Sequence, residues 1–232
     1  MQYVAGNIHG NLEAYLSLLD EINFKDTDIL YVLGDVCDYG DSSIEILQDM
    51  MLRPNIIPIL GEHEYMAYQV FKALLKSPAD AMKNPKTLKM AEAWIKKGGE
   101  KTLSAFMALN DEQKEDVLDF LEEFTVWEEV EASGKTYVLL HGGFKDFNKD
   151  KAIDDYKISE ILTGGIEPDK TYFDNKYIVC AHTPASLISN TDSNKIFVSG
   201  NNIYIDCDLR SSGTLGAYCL TNGKEFYVNV NE

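Results

Sequence analysis

The chain opens with three apolar runs, each ended by a glycine and each followed by a segment of different period. Gln2–Ala5 stops at Gly6, Asp28–Leu33 at Gly34, and Asn55–Leu60 at Gly61. Short continuous apolar runs of this kind predict strands buried on both faces. After the first, Asn11–Ile22 places Leu12, Tyr15, Leu16, Leu19 and Ile22 at helical spacing; after the second, a helix is predicted from about Ser42 to Met51. Strands alternating with helices imply a largely parallel sheet. The pattern changes at Glu62. From there to Glu123 nearly every window is helix-periodic and highly charged, broken only at "SPAD", "KNP" and "KGG". This segment reads as a helical insertion packed on an α/β core, within one domain spanning 1–232. The remainder is β-rich, with strands predicted at Thr136–Leu140, Tyr177–Ala181, Lys195–Val198, Ile203–Cys207, Leu215–Leu220 and Glu225–Val230.

Composition narrows the function classes. A hydrophobic content of 45% with 11% aromatics belongs to a chain that folds. The formal net charge is −17 and only two arginines are present, Arg53 and Arg210. Nucleic-acid binding needs clustered cations against phosphates, so that class is not expected. Anionic substrates would be repelled at long range unless bound cations reverse the local field. Cys37, Cys180, Cys207 and Cys219 form no CxxC pair and sit in apolar contexts, as reduced core thiols of a cytoplasmic protein do. Neither a signal peptide nor a membrane span is expected from the hydropathy pattern. Nothing in the sequence fixes an oligomeric state.

The candidate chemistry gathers at the strand ends. All four histidines follow a predicted strand: His9 in "GNIHG", His63 in "GEHE", His141 in "LLHGG" and His182 in "AHTP". Asp35 and Asp38 in "GDVCDYG" occupy the same position after the second strand. One strand-end histidine is more often a structural residue than a ligand, and "GDVCDYG" alone is equally a turn with capping carboxylates. Four out of four, interleaved with two aspartates, point to a site, because open α/β sheets bind ligands at the carboxyl ends of their strands. Imidazole and carboxylate together make a mixed N/O set suited to Mn, Fe or Zn.

In this order, "GNIHG…GDVCDYG…GEHE…HGG…AHTP" resembles the calcineurin-like metallophosphoesterases, whose motifs run GDxHG, GDxxDRG, GNHE, HG and GHTP. The likeness is to the branch of bacterial protein-serine/threonine phosphatases and symmetrical diadenosine tetraphosphatases. "WIKKGGEKTL" and "IYIDCDLRSSGTLGAYCL" resemble further stretches of that family. The resemblance implies a four-layer αββα sandwich of two mixed sheets with two metal ions where the strand-end loops converge. One ion would be held by Asn7, His9 and Asp35, the other by Asp35, Glu62, His141 and His182. His63, oriented by Asp38, would be the general acid. The implied reaction is attack of a metal-activated water on a phosphomonoester, a phosphopeptide or a nucleotide polyphosphate. The implied alternative is an attenuated metal- or phosphate-binding pseudophosphatase that acts through protein contacts.

Four departures bear on that expectation. Asn7 stands where the family has a ligating Asp, and Glu62 where it has Asn, so the sequence conserves charge while moving it toward the second ion, and the ion at Asn7, His9 and Asp35 is expected to bind loosely or to be absent. Tyr39 stands where the family has a phosphate-gripping Arg, and no arginine lies between His141 and His182. Each lost guanidinium fork removes charge-assisted contacts of roughly 1.5–3 kcal/mol. Arg210 in "DLRSSG" is the candidate replacement, with Tyr39 beside the substrate. For Glu64 the expectation is helix capping or support of the ligands.

Overall fold

The computed structural model of the chain describes residues 1–81 and 83–230. Met82, within the expected helical insertion, and Asn231 and Glu232, at the end of the expected domain, lie outside the described residues.

The amino-terminal third follows the predicted alternation: β1 (Gln2–Ala5), α1 (Leu12–Glu21), β2 (Ile29–Leu33), α2 (Ser43–Met51) and β3 (Ile56–Ile59). The predicted ends of α1 are its caps, with the Asn11 side chain accepting from the Ala14 N–H. A helical stretch follows: α3 (Glu62–Lys76), α4 (Pro78–Ala81), α5 (Pro85–Trp94), α6 (Glu100–Ala108) and α7 (Asp111–Glu122). Between α5 and α6 the chain makes a wide turn at Ile95–Gly99, kinked at Gly98 (φ 98°). The second half contains β4 (Trp127–Ala132), β5 (Lys135–Leu140), the short α8 (Ile158–Leu162), β6 (Lys176–Cys180), α9 (Ala185–Ser189), β7 (Phe197–Ser199), β8 (Asn202–Tyr204), α10 (Leu209–Ser212), β9 (Thr214–Cys219) and β10 (Glu225–Asn229).

Two differences from the sequence reading have physical reasons. Strand β4 is absent from the predicted list. Its sequence "WEEVEA" carries three glutamates, and it is an edge strand with one face in solvent, pairing only β5. The predicted strand Ile203–Cys207 pairs only through Tyr204, after which Asp206 and Cys207 turn into a loop.

Both sheets are mixed. The first runs β10-β9-β1-β2-β3, with β1, β2 and β3 mutually parallel and β9 antiparallel to both of its neighbours, β1 and β10. The second runs β4-β5-β6-β8-β7, with β5, β6 and β8 parallel between antiparallel edges. Period-two alternation decides the layering. In β2, Tyr31 and Leu33 face a core between the sheets, where they meet Tyr137 and Leu139 of β5. Leu30 and Val32 face the other way, into a core with α1, α2 and the helical stretch. In β5, Val138 and Leu140 face a third core with Ile161 of α8 and Ala185 of α9. The result is helices, sheet, sheet, helices, the αββα order expected. The helical stretch packs onto the second of these cores, beside α1 and α2, through Phe71, Trp94, Phe106, Val117 and Leu121.

Candidate metal centre

The parallel strands of both sheets end at one place. Asn7 and His9 follow β1; Asp35, Asp38 and Tyr39 follow β2; Glu62, His63 and Glu64 follow β3. His141 follows β5, His182 follows β6, and Asp206 and Arg210 follow β8. The sheets are tied together here, since the His141 Nδ1 donates to the Leu33 carbonyl at 2.7 Å.

Asp35 is the hub. Its backbone N–H donates to the Glu64 Oε2 at 2.7 Å, and the Cys37 N–H donates to the Glu64 Oε1 at 2.8 Å. Fully buried Glu64 thus clasps the loop after β2 to the first turn of α3. The loops pass so closely that a Cβ on Gly34, which sits at φ +68°, would lie 2.4 Å from the Gly61 Cα. The Asp35 Oδ1 accepts from the His63 N–H at 3.2 Å and lies 3.3 Å from the His141 Nε2. The Oδ2 lies 4.0 Å from the His63 Nε2.

Two sets of donors result, and Asp35 belongs to both: His9, Asp35 and His63, and Asp35, His141 and His182. In each set one ligand atom per residue lies within 4.8 Å of the others. The donor chemistry fits divalent ions of the Mn, Fe or Zn type. Two of the rings are oriented through their other nitrogen, His141 by Leu33 and His9 by the Cys37 carbonyl at 3.3 Å, as ligating histidines are. Burial pushes His9 down to about 4, so its ring stays neutral with a lone pair to give. His182 is lowered by burial and by His141. At His141 burial opposes the charge, but Asp35 overrides it and lifts the ring to about 9. The same contact outweighs burial at Asp35 and holds its carboxyl well below the usual range. The His141 Nε2 also lies 3.0 Å from the His182 Nδ1, and binding an ion would require these nitrogens to give up any proton between them.

His63 is held differently. Its Nδ1 donates to the Asp38 Oδ2 at 2.6 Å, and the same oxygen accepts from the Trp94 indole N–H at 2.6 Å. Burial disfavours a charged ring, but Asp38 and Asp35 together raise His63 above its ordinary value. Trp94 is fully buried and packs edge-on against Phe71. Its role was not assigned from sequence, although the "WIKKGG" stretch contained it.

The structure places the remaining candidates as follows. The Glu62 carboxylate is engaged by the Lys97 ammonium at 2.6 Å and belongs to neither donor set. The Asn7 amide donates through Nδ2 to the Asp206 Oδ2 at 2.9 Å and accepts the His182 N–H at 3.2 Å. The Arg210 guanidinium lies 3.3 Å over the Tyr39 ring centroid. Tyr39 in turn meets His9 and His63, ring centroids 5.2 and 5.3 Å away. Asp206 was missed, yet its signal was the one that found Asp35: a carboxylate ending an apolar run, "IYID". Burial pushes its carboxyl up to about 7. Asn7, His9, Asp35, His63, His182, Asp206 and Arg210 all line one cavity of about 160 Å³.

Backbone strain marks the same loops. Of eleven non-glycine residues with positive φ among the described residues, seven are Asn7, His9, Asp35, Asp38, Tyr39, His182 and Asp208. Such conformations cost of order 1–3 kcal/mol each and persist where surrounding structure over-determines them.

Comparison with known proteins agrees with this geometry. Serine/threonine-protein phosphatase 2 of Salmonella typhimurium is 30% identical over 149 residues, covering 64% of this chain and 61% of its own length. A symmetrical bis(5'-nucleosyl)-tetraphosphatase of Wigglesworthia glossinidia brevipalpis is 31% identical over 101 residues, 41% of this chain and 37% of the relative. The chain thus spans less than two thirds of either curated relative. Among solved structures, a metallophosphoesterase from Sphaerobacter thermophilus superposes with a TM-score of 0.53 at 15% identity, covering 99% of this chain and 88% of that one. The family model described as calcineurin-like phosphoesterase matches residues 3–209. From the first strand to the loop bearing Arg210, the chain belongs to the calcineurin-like phosphoesterase family.

Proposed function

We propose that the protein hydrolyses a phosphomonoester at a two-ion centre, and the observation that carries this is Asp35, one carboxylate shared by two histidine-bearing donor sets. His9 would hold one ion beside Asp35, and His141 with His182 the other. When bound, such a pair supplies Lewis-acid charge to the phosphoryl oxygens and makes a water acidic enough to attack phosphorus. His63 keeps its Nδ1 proton on Asp38, which leaves the Nε2 proton free to pass to the ester oxygen as its bond to phosphorus breaks. Arg210, placed over the Tyr39 ring, presents its planar fork to the phosphate.

The neighbouring groove favours one phosphate over several. It measures about 570 Å³ and is lined by Ile8, Leu12, Leu209 and Val230 beside the acidic Glu13 and Asp41. Arg210 is the one lysine or arginine among its lining residues. A polyphosphate would need several such cations, whereas a phosphopeptide or small ester with a neutral or cationic alcohol needs one. The second reading, a phosphate-binding module without turnover, draws on Glu62 being engaged by Lys97 and on Asn7 standing in place of an aspartate.

Assay with Mn²⁺ on p-nitrophenyl phosphate, phosphopeptides and diadenosine tetraphosphate decides between them. Turnover of the monoesters is expected to exceed that of the tetraphosphate, and His63→Asn is expected to lower kcat by roughly 10²–10⁴-fold. Wild-type rates no higher than those of His63→Asn on every substrate would leave the binding module as the reading.

A further inference from the structure

The contact between Asn7 and Asp206 deepens the two-ion reading and rests on it. The two residues follow β1 and β8, so the pair spans the two sheets across the site. Both ends of the Asn7 amide are fixed: Oδ1 accepts the His182 N–H at 3.2 Å while Nδ2 donates to the Asp206 Oδ2 at 2.9 Å. Turning the amide over would set donor against donor and acceptor against acceptor, so its partners determine its orientation. The Asp206 carboxylate is 3% exposed, and its other oxygen accepts the Asp208 N–H at 2.8 Å. Both hydrogen-bond donors on this carboxylate are neutral. Burying a carboxylate against neutral donors alone is costly unless a cation joins it.

That carboxylate lines the same cavity as His9, Asp35 and His63, although, like Glu62, it stands outside both donor sets before an ion draws them together. Glu62, where the sequence reading moved the charge missing at Asn7, is instead engaged by Lys97. We propose that Asp206 supplies the carboxylate of the ion site beside His9, with Asn7 as the residue that positions it. A charge absent from the loop after β1 is returned to the same half of the site from the loop after β8.

The test is Mn²⁺ binding to the full chain, by calorimetry and elemental analysis, with no turnover required. Wild type is expected to take two ions. Asp206→Asn is expected to weaken one of them by about tenfold or more and leave the other unchanged. The swap Asn7→Asp with Asp206→Asn keeps the hydrogen bond with its ends reversed, and is expected to restore the second ion. If Asp206→Asn fails to fold, Asp206→Ser is measured in its place, one weakened ion supporting the assignment and two ions of wild-type affinity overturning it. Two ions of wild-type affinity in a folded Asp206→Asn variant overturn the role of Asp206 and leave the two-ion reading standing. A single ion in wild type overturns both.

Discussion

Arg210 on Tyr39 is the phosphate grip we propose in place of the family's arginine. The family's arginine position after β2 is Tyr39 here, and a guanidinium arrives from the loop after β8 to lie on that same ring at 3.3 Å. The tyrosine keeps a planar surface where a planar cation is needed, a stacking worth roughly 0.5–1 kcal/mol at an exposed site. Arg210→Ala is therefore expected to raise KM for p-nitrophenyl phosphate about ten- to a hundredfold, matching a lost charge-assisted contact of roughly 1.5–3 kcal/mol. Arg210→Lys is expected to recover little of it, because an ammonium neither stacks nor forks. A KM unchanged in Arg210→Ala would mean that the phosphate is gripped elsewhere. This residue was legible in the sequence because arginine is so scarce. Asp206 shows the limit: its partner Asn7 is 199 positions away, and no local pattern announces such a contact.

At the scale of elements, the site depends on how closely the loops after β2 and β3 approach. Gly61 has ordinary extended dihedrals, φ −99° and ψ 173°, so glycine is not required there by conformation. It is required by space, since an added Cβ would sit 2.3 Å from the Asp35 N and 2.6 Å from the Glu64 Oε2. Gly61→Ala is expected to cost about 1–3 kcal/mol as an overpacking substitution, read as a lower urea midpoint with unchanged slope. A midpoint equal to wild type would show that the loops have room to part. The strands bearing these loops were legible because each is a continuous apolar run cut off by glycine. Strand β4 was not, because an edge strand rich in glutamate carries no such run. For Glu64 the sequence left capping and support of the ligands open, and the fold shows it buried beneath Asp35.

Across the whole molecule, the proposed two-ion centre would resolve a conflict between charge and a phosphate substrate. A chain of net charge −17 gathers Asp35, Asp38, Glu64 and Asp206 in buried positions around one cavity and its walls. A phosphate would be repelled from such a place unless cations invert the field. The protein's own cations are too few: one arginine faces the cavity, and the raised histidines His63 and His141 are occupied by aspartates. No helix among the described residues is long and apolar enough to cross a membrane. The alternation of elements made the parallel part of the first sheet legible from sequence; the parallel pairing of β5, β6 and β8 in the second was not, because the helices α8 and α9 between them are only five residues long. The placement of β1 against β9 was not, because antiparallel partners from opposite ends of the chain share no local signal.

The most direct measurement is an anomalous difference map from a crystal grown with Mn²⁺ and phosphate. Two peaks are expected, about 3.5–4 Å apart, with Asp35 between them, His9 on one side and His141 with His182 on the other. A single peak, or peaks that do not share Asp35, would contradict the two-ion phosphoesterase.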